Sequence, residues 1–185
     1  MSIWKNHKKA VITLVSCLII GGGVAGTYAT LTAVTGDVIN SFTGEVIETH
    51  IEEDFPEQDV KPDSSLKKDV KIVNDGPSDA FIRARVTISP AEAVTIDGTT
   101  GDWVLAEDGW YYYKKVVSGP INGEKFSTTS LMTKVNIPAD IKEDFDVTVY
   151  QEAVGTGQYQ AGETVDDVEK IRPFFDAVNS KTRTE

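Results

Sequence analysis

The chain has 185 residues, a single cysteine and a net charge of −11, from 18 Lys and Arg against 29 Asp and Glu, with 40% hydrophobic residues. That length suits one domain around one core, and so acidic a surface repels phosphate backbones, which argues against nucleic acid as a partner. One cysteine closes no internal disulfide, so the core has to hold the fold unaided.

Lys5, Lys8 and Lys9, with His7 among them, precede an apolar run over residues 10–20 that ends in Gly21, Gly22 and Gly23. A basic start, a short apolar run and a small-residue exit make a secretory signal peptide. Thr27-Tyr28-Ala29 places small side chains where a signal peptidase needs them, so cleavage is predicted between Ala29 and Thr30. Two rivals rank lower. Residues 10–29 are about long enough to span a bilayer as an uncleaved anchor, but the glycines favour cleavage. Leu14-Val15-Ser16-Cys17 spells a lipobox, yet Cys17 lies inside the apolar run rather than at its end. Cleavage removes the cysteine and three lysines, leaving a still more acidic chain. It is expected to be secreted by a Gram-positive-type cell, to meet a membrane only before cleavage, and to carry no C-terminal anchor, because residues 179–185 are polar.

Residues 30–36 are small and polar and read as mobile. Residues 37–51 are rich in β-branched side chains and read as one strand with two mixed faces, its register weakly specified. Residues 52–63 are acidic with Pro56 and Pro62, a connector unsuited to helix or central strand. Residues 66–74 alternate through Lys68, Val70 and Ile72, and Asn74-Asp75-Gly76-Pro77-Ser78-Asp79 is a turn signal. Residues 80–89 carry the clearest period of two, with Ile82, Ala84, Val86 and Ile88 inward and Phe81, Arg83, Arg85 and Thr87 outward. Residues 90–102 read as a long loop.

Residues 103–106 and 110–117 form a hairpin about Glu107-Asp108-Gly109. Residues 131–137 give a further strand, Phe145, Val147, Val149, Gln151 and Ala153 line a last one, and residues 164–178 read as a short helix capped by Thr164 and kinked or split at Pro173. About seven strands at short spacing predict an all-β fold, an antiparallel β-sandwich with a short C-terminal helix. The predicted divisions are a signal peptide (1–29), an N-terminal strand with its acidic connector (30–65) and the sandwich (66–185).

The residues offer little catalytic chemistry. After cleavage His50 is the only histidine, too few for a His-Glu-x-x-His zinc site, and no Gly-x-Ser-x-Gly elbow accompanies it. The acidic clusters lack the alternating spacing of a calcium loop. No cofactor, catalytic residue or metal ligand is expected. Trp110, Tyr111, Tyr112 and Tyr113 alternate, so one pair is expected in the core and the other in an exposed strip suited to another subunit or a carbohydrate polymer.

Gly21-Gly22-Gly23-Val24-Ala25-Gly26-Thr27-Tyr28-Ala29 resembles an export signal cut by a dedicated SipW-type peptidase. Val70 to Val86, with its strand, Asn-Asp-Gly-Pro turn and Phe81-Ile82-Arg83 strand, followed by Asp108-Gly109-Trp110-Tyr111-Tyr112-Tyr113 and Leu131, is similar to the TasA/camelysin-like group of secreted proteins over nearly the whole chain. The loop Ser118-Gly119-Pro120-Ile121-Asn122-Gly123 departs from that pattern. The resemblance implies a jelly-roll-like sandwich and a fibre or accessory subunit of a cell-surface or biofilm matrix, with copies of itself or a homologous subunit as partners. It also implies a camelysin-type metallopeptidase label, which the histidine count opposes.

From the residues themselves, a two-faced strand ahead of a long connector fits donation to a neighbour's sheet edge, through Val38, Ile39, Phe42, Val46, Ile47 and Ile51. The alternative is a surface-adhesion or carbohydrate-binding module using the strip from Trp110 to Tyr113.

Overall fold

The computed structural model describes residues 29–33, 38–42, 45–56, 59–141 and 143–182; the signal segment up to Tyr28 lies outside them. The strands run in chain order as β1 (Ala29–Ala33), β2 (Val38–Phe42), β3 (Glu45–Asp54), β4 (Ser64–Asn74), β5 (Ala80–Ser89), β6 (Thr95–Asp97), β7 (Trp103–Leu105), β8 (Tyr111–Tyr113), β9 (Phe126–Ser127), β10 (Met132–Ile137) and β11 (Phe145–Gly155), followed by the helix α1 (Val168–Thr182).

The chain forms the all-β sandwich its turn spacing predicts. One sheet runs β1-β11-β5-β8-β7, and the other runs β2-β3-β4-β10-β6, with β9 also paired to β4. All the pairings are antiparallel except that of β1 with β11, which is parallel and sets Ala29 beside Phe145 and Ala33 beside Val149. The long β5–β11 ladder, from Ala80 beside Gly155 to Ser89 beside Asp146, is the spine of the first sheet.

Period-two alternation builds the core. Leu66, Val70 and Ile72 of β4 face Ile82 and Ala84 of β5 and Val147, Val149 and Ala153 of β11 in one buried cluster. On β10 the register shifts between Met132 and Lys134. That irregularity lets Met132 and Val135, three residues apart, both point inward.

Several expectations change. Residues 37–51 form a hairpin rather than one strand, since Phe42 pairs with Glu45 and Val38 with Thr49. Two residues, one of them Gly44, separate these strands, the spacing of a tight hairpin connection. Residues 30–33 are strand rather than a mobile lead. β3 runs through Asp54 into the acidic connector and pairs along β4, from Thr49 beside Asn74 to Asp54 beside Asp69. Residues 30–65 are therefore part of the sandwich, because β1 joins one sheet and β2 and β3 the other. Residues 90–102 include the short strand β6, paired to β10.

The C-terminal helix also differs. It begins at Val168, where the Asp167 carboxylate accepts a hydrogen bond from the Glu169 N–H (3.1 Å). Thr164 is instead in an isolated bridge with Lys115. Pro173 lies inside the helix without dividing it, because Ile171 and Phe175, packed on the sheet with Phe81, Tyr112 and Val154, hold the turns on either side of it.

Candidate functional site

The candidate donor residues fall on two strands with different ties. Ile47 and Ile51 of β3 are buried in the main core. Between them Thr49, wholly buried, donates to the Gln151 side-chain oxygen (2.9 Å), and Gln151 donates back to the Thr49 carbonyl (3.1 Å), crossing from one sheet to the other. Further along β3 the Glu53 carboxylate takes the buried Lys68 ammonium through both oxygens at 2.9 Å, beside the Phe55 ring. Val46 points the other way and is 45% exposed. Val38, Ile39 and Phe42 lie on β2, the outermost strand of that sheet. β3 is thus an inner strand fixed by polar pairs that only one register satisfies.

The turn that follows β4 clamps the start of β3 beyond the end of the ladder. The N–H groups of Asp75 and Gly76 both donate to the Glu48 carbonyl (2.8 and 2.9 Å), and the Val46 N–H donates to the Ser78 hydroxyl (3.0 Å). Asn74 closes the turn from inside, donating to the carbonyls of Ser78 and Val117 and accepting from the Gly76 N–H. The Asp75 carboxylate meets the imidazole of His50 and the ammonium of Lys125. Burial alone would raise its pKa, but the hydrogen bonds from Lys125 and His50 outweigh that and hold it below the usual carboxylate value. His50 therefore braces this turn, and the structure gives it no hydroxyl or thiol nucleophile.

The aromatic stretch is not the half-exposed strip that alternation predicts. Trp110, Tyr112 and Tyr113 are buried and Tyr111 is half-buried. Both faces of β8 are covered: Tyr113 and Tyr111 pack toward the opposite sheet, while Trp110 and Tyr112 pack under α1. A helix laid on the outer face of a sheet removes the solvent side that a strand reading assumes.

At the centre of that second cluster is Arg83, whose outward position on β5 also suggested exposure but whose side chain is buried. Its guanidinium lies against the rings of Trp110 (4.2 Å) and Phe175 (4.5 Å) and donates to the Tyr112 hydroxyl (2.9 Å) and the Glu152 carboxylate (2.6 and 2.8 Å). The Tyr112 hydroxyl in turn donates to Asp108 (2.8 Å), which also accepts from the Trp110 N–H (3.1 Å). Burial pushes the Tyr112 hydroxyl pKa up, helped by Asp108; Asp108 itself, raised by burial but lowered more by its donors, stays below the usual carboxylate range. Sequence reading missed this cluster, although the pairing of an outward Phe81 and Arg83 with an amphipathic helix lacking a partner face was its signal.

Among the described residues no group of three or more His, Cys, Asp or Glu is placed to hold a metal ion. At the pole where β5 ends and β11 begins, Glu92, Ala93, Pro138, Asp140, Ile141 and Glu143 line an open depression of about 210 Å3. The cleavage position between Ala29 and Thr30 falls at the first residue of β1. Compared with known proteins, the chain matches no family model, no curated protein and no solved structure.

Proposed function

We propose that this chain is a secreted structural protein, a fibre or accessory subunit of a cell-surface or biofilm matrix, which assembles by passing its N-terminal strand to a neighbouring copy. The observation that carries the reading is β1. It is an edge strand whose only partner among the described residues is β11, and it begins at the predicted cleavage site. An edge strand held on one side exchanges at low cost, since a neighbour's β11 offers the same main-chain hydrogen bonds. Passing it from copy to copy is a head-to-tail contact, which extends a filament instead of closing a ring. The inward ties of β3 through Ile47, Thr49 and Ile51 confine the donor to the chain ahead of it, so Val46, Ile47 and Ile51 stay with their own subunit.

The test follows from that division. The mature chain starting at Thr30 is expected to form fibres in electron micrographs. A chain lacking residues 30–37 is expected to keep its near-ultraviolet circular dichroism and remain monomeric. Fibres from the shortened chain would overturn the proposal. Removing residues 30–51 is the poorer experiment, because it also takes Ile47 and Ile51 out of the core.

A further inference from the structure

The outer face of the β1-β11-β5-β8-β7 sheet is divided in two. α1 covers the half bearing Phe81, Tyr112 and Val154. The other half is bare: Arg85, Thr87 and Ser89 of β5 and Asp146 and Tyr150 of β11 are exposed, with Thr148 half-buried. The ladder sets them in rows, Tyr150 beside Arg85, Thr148 beside Thr87 and Asp146 beside Ser89. The Tyr150 ring, 47% exposed, leans on Trp110 with ring centres 5.8 Å apart.

Arg85 is the telling residue. In a chain of net charge −11, it makes no ion pair with any carboxylate among the described residues. Its guanidinium lies over the Trp110 ring at 4.5 Å and donates to the Asp108 carbonyl (3.0 Å). The carboxylates nearest in the fold are engaged, Glu152 by Arg83 and Asp108 by Tyr112 and the Trp110 N–H. Asp146 stands four residues from Tyr150 along β11, about 13 Å in an extended strand. The indole and the carbonyl fix the guanidinium plane and leave its remaining donors toward solvent, a preorganised seat for a carboxylate.

We infer that this bare half-face binds an acidic polysaccharide. Arg85 pairs with a sugar carboxylate, the Tyr150 ring packs on the apolar C–H face of a pyranose, and Thr87, Thr148 and Ser89 exchange hydrogen bonds with ring hydroxyls. The same features disfavour other occupants. A second copy needs about 1,000 Å2 of complementary interface, and Tyr150 is the single large apolar residue on the patch. A polyphosphate chain meets the repulsion of the whole acidic surface. A neutral glycan leaves Arg85 without its counter-charge.

The mature protein is tested by affinity electrophoresis through gels containing polygalacturonate or dextran. Retardation by polygalacturonate, weakened by salt, and its absence with dextran are expected. Arg85→Gln and Tyr150→Ala should each weaken binding about tenfold, and Arg85→Lys should restore only part, since an ammonium lacks the planar fork. Leu105→Ala, at the far edge of the sheet, should change nothing. Both substituted residues are exposed, so near-ultraviolet circular dichroism should match the parent. Equal retardation by dextran, retardation by neither polymer, or unchanged binding in both variants would overturn the inference. The readout does not require fibres, so it stands or falls separately from strand donation.

Discussion

Arg83 shows how one side chain joins two parts of the molecule. It stands on β5, yet its contacts are with Trp110, Tyr112, Glu152 and Phe175, so a single guanidinium ties the sheet to the helix above it. Arg83→Met should destabilise the protein by about 3 kcal/mol in urea unfolding, because the Glu152 charge and the Tyr112 hydroxyl lose their partner in a poorly solvated site. Adding Glu152→Gln should recover part of that loss; no recovery would mean that ring packing, and not charge pairing, sets the cost. Asp75 yields a prediction in pH. Its folded pKa is depressed below the model value of 3.8, burial being outweighed by the hydrogen bonds from Lys125 and His50. A depressed carboxylate contributes stability that is fully present above its unfolded pKa and is lost as pH falls through its folded one. Asp75→Asn should therefore be less stable than the parent at pH 5 to 7, and the gap should narrow below about pH 4. A constant gap across acid titration would show that the carboxylate charge plays no part.

Among the elements, the turn between β4 and β5 is more than a connection. It supplies the start of β3 with the hydrogen bonds that β4, ending at Asn74, no longer reaches. A Cβ on Gly76 would fall 2.8 Å from the Val46 carbonyl oxygen and 2.9 Å from the Ile47 Cα, both backbone atoms of β3. Gly76→Ala must push turn and strand apart and should cost about 1–3 kcal/mol. Gly101→Ala meets nothing within 4 Å and should stay within about 0.5 kcal/mol of the parent. Thermal melts of the two variants compare a glycine required by close approach with one that is not. At the start of α1, Asp167→Ala removes the cap on the Glu169 N–H and should cost about 1 kcal/mol. Thr164→Ala, the cap the sequence suggests, should leave the helix unaffected.

At the scale of the whole molecule, two cores share one sheet. The larger lies between the sheets, and the smaller lies between α1 and the outer face of β5, β8 and β11. Phe175 is almost wholly buried in the smaller one and touches both Tyr112 and Arg83. Phe175→Ala should cost about 3–5 kcal/mol. Because β5 and β11 also line the larger core, the variant should still unfold in one transition followed equally by circular dichroism and tryptophan fluorescence; separate transitions would make α1 an independent cover.

The sequence by itself determined the sandwich, because period-two alternation in residues 66–74, 80–89 and 145–153 is a local property that turn residues delimit. It also located the hairpin about Asp108-Gly109, where Gly109 takes a φ of 79° that side chains avoid. Only the tertiary structure decided which outward residues meet water. Phe81, Arg83, Trp110 and Tyr112 occupy solvent-side positions by alternation and are buried because α1, distant in sequence, lies over them, whereas Tyr150 and Arg85 on the same face stay bare beyond it. The division of residues 37–51 into two strands, the parallel seat of β1 on β11 and the inward polar ties of Thr49 and Glu53 were equally hidden. Each depends on a partner many residues away, and a strand's own pattern records that one of its faces is buried without recording by what.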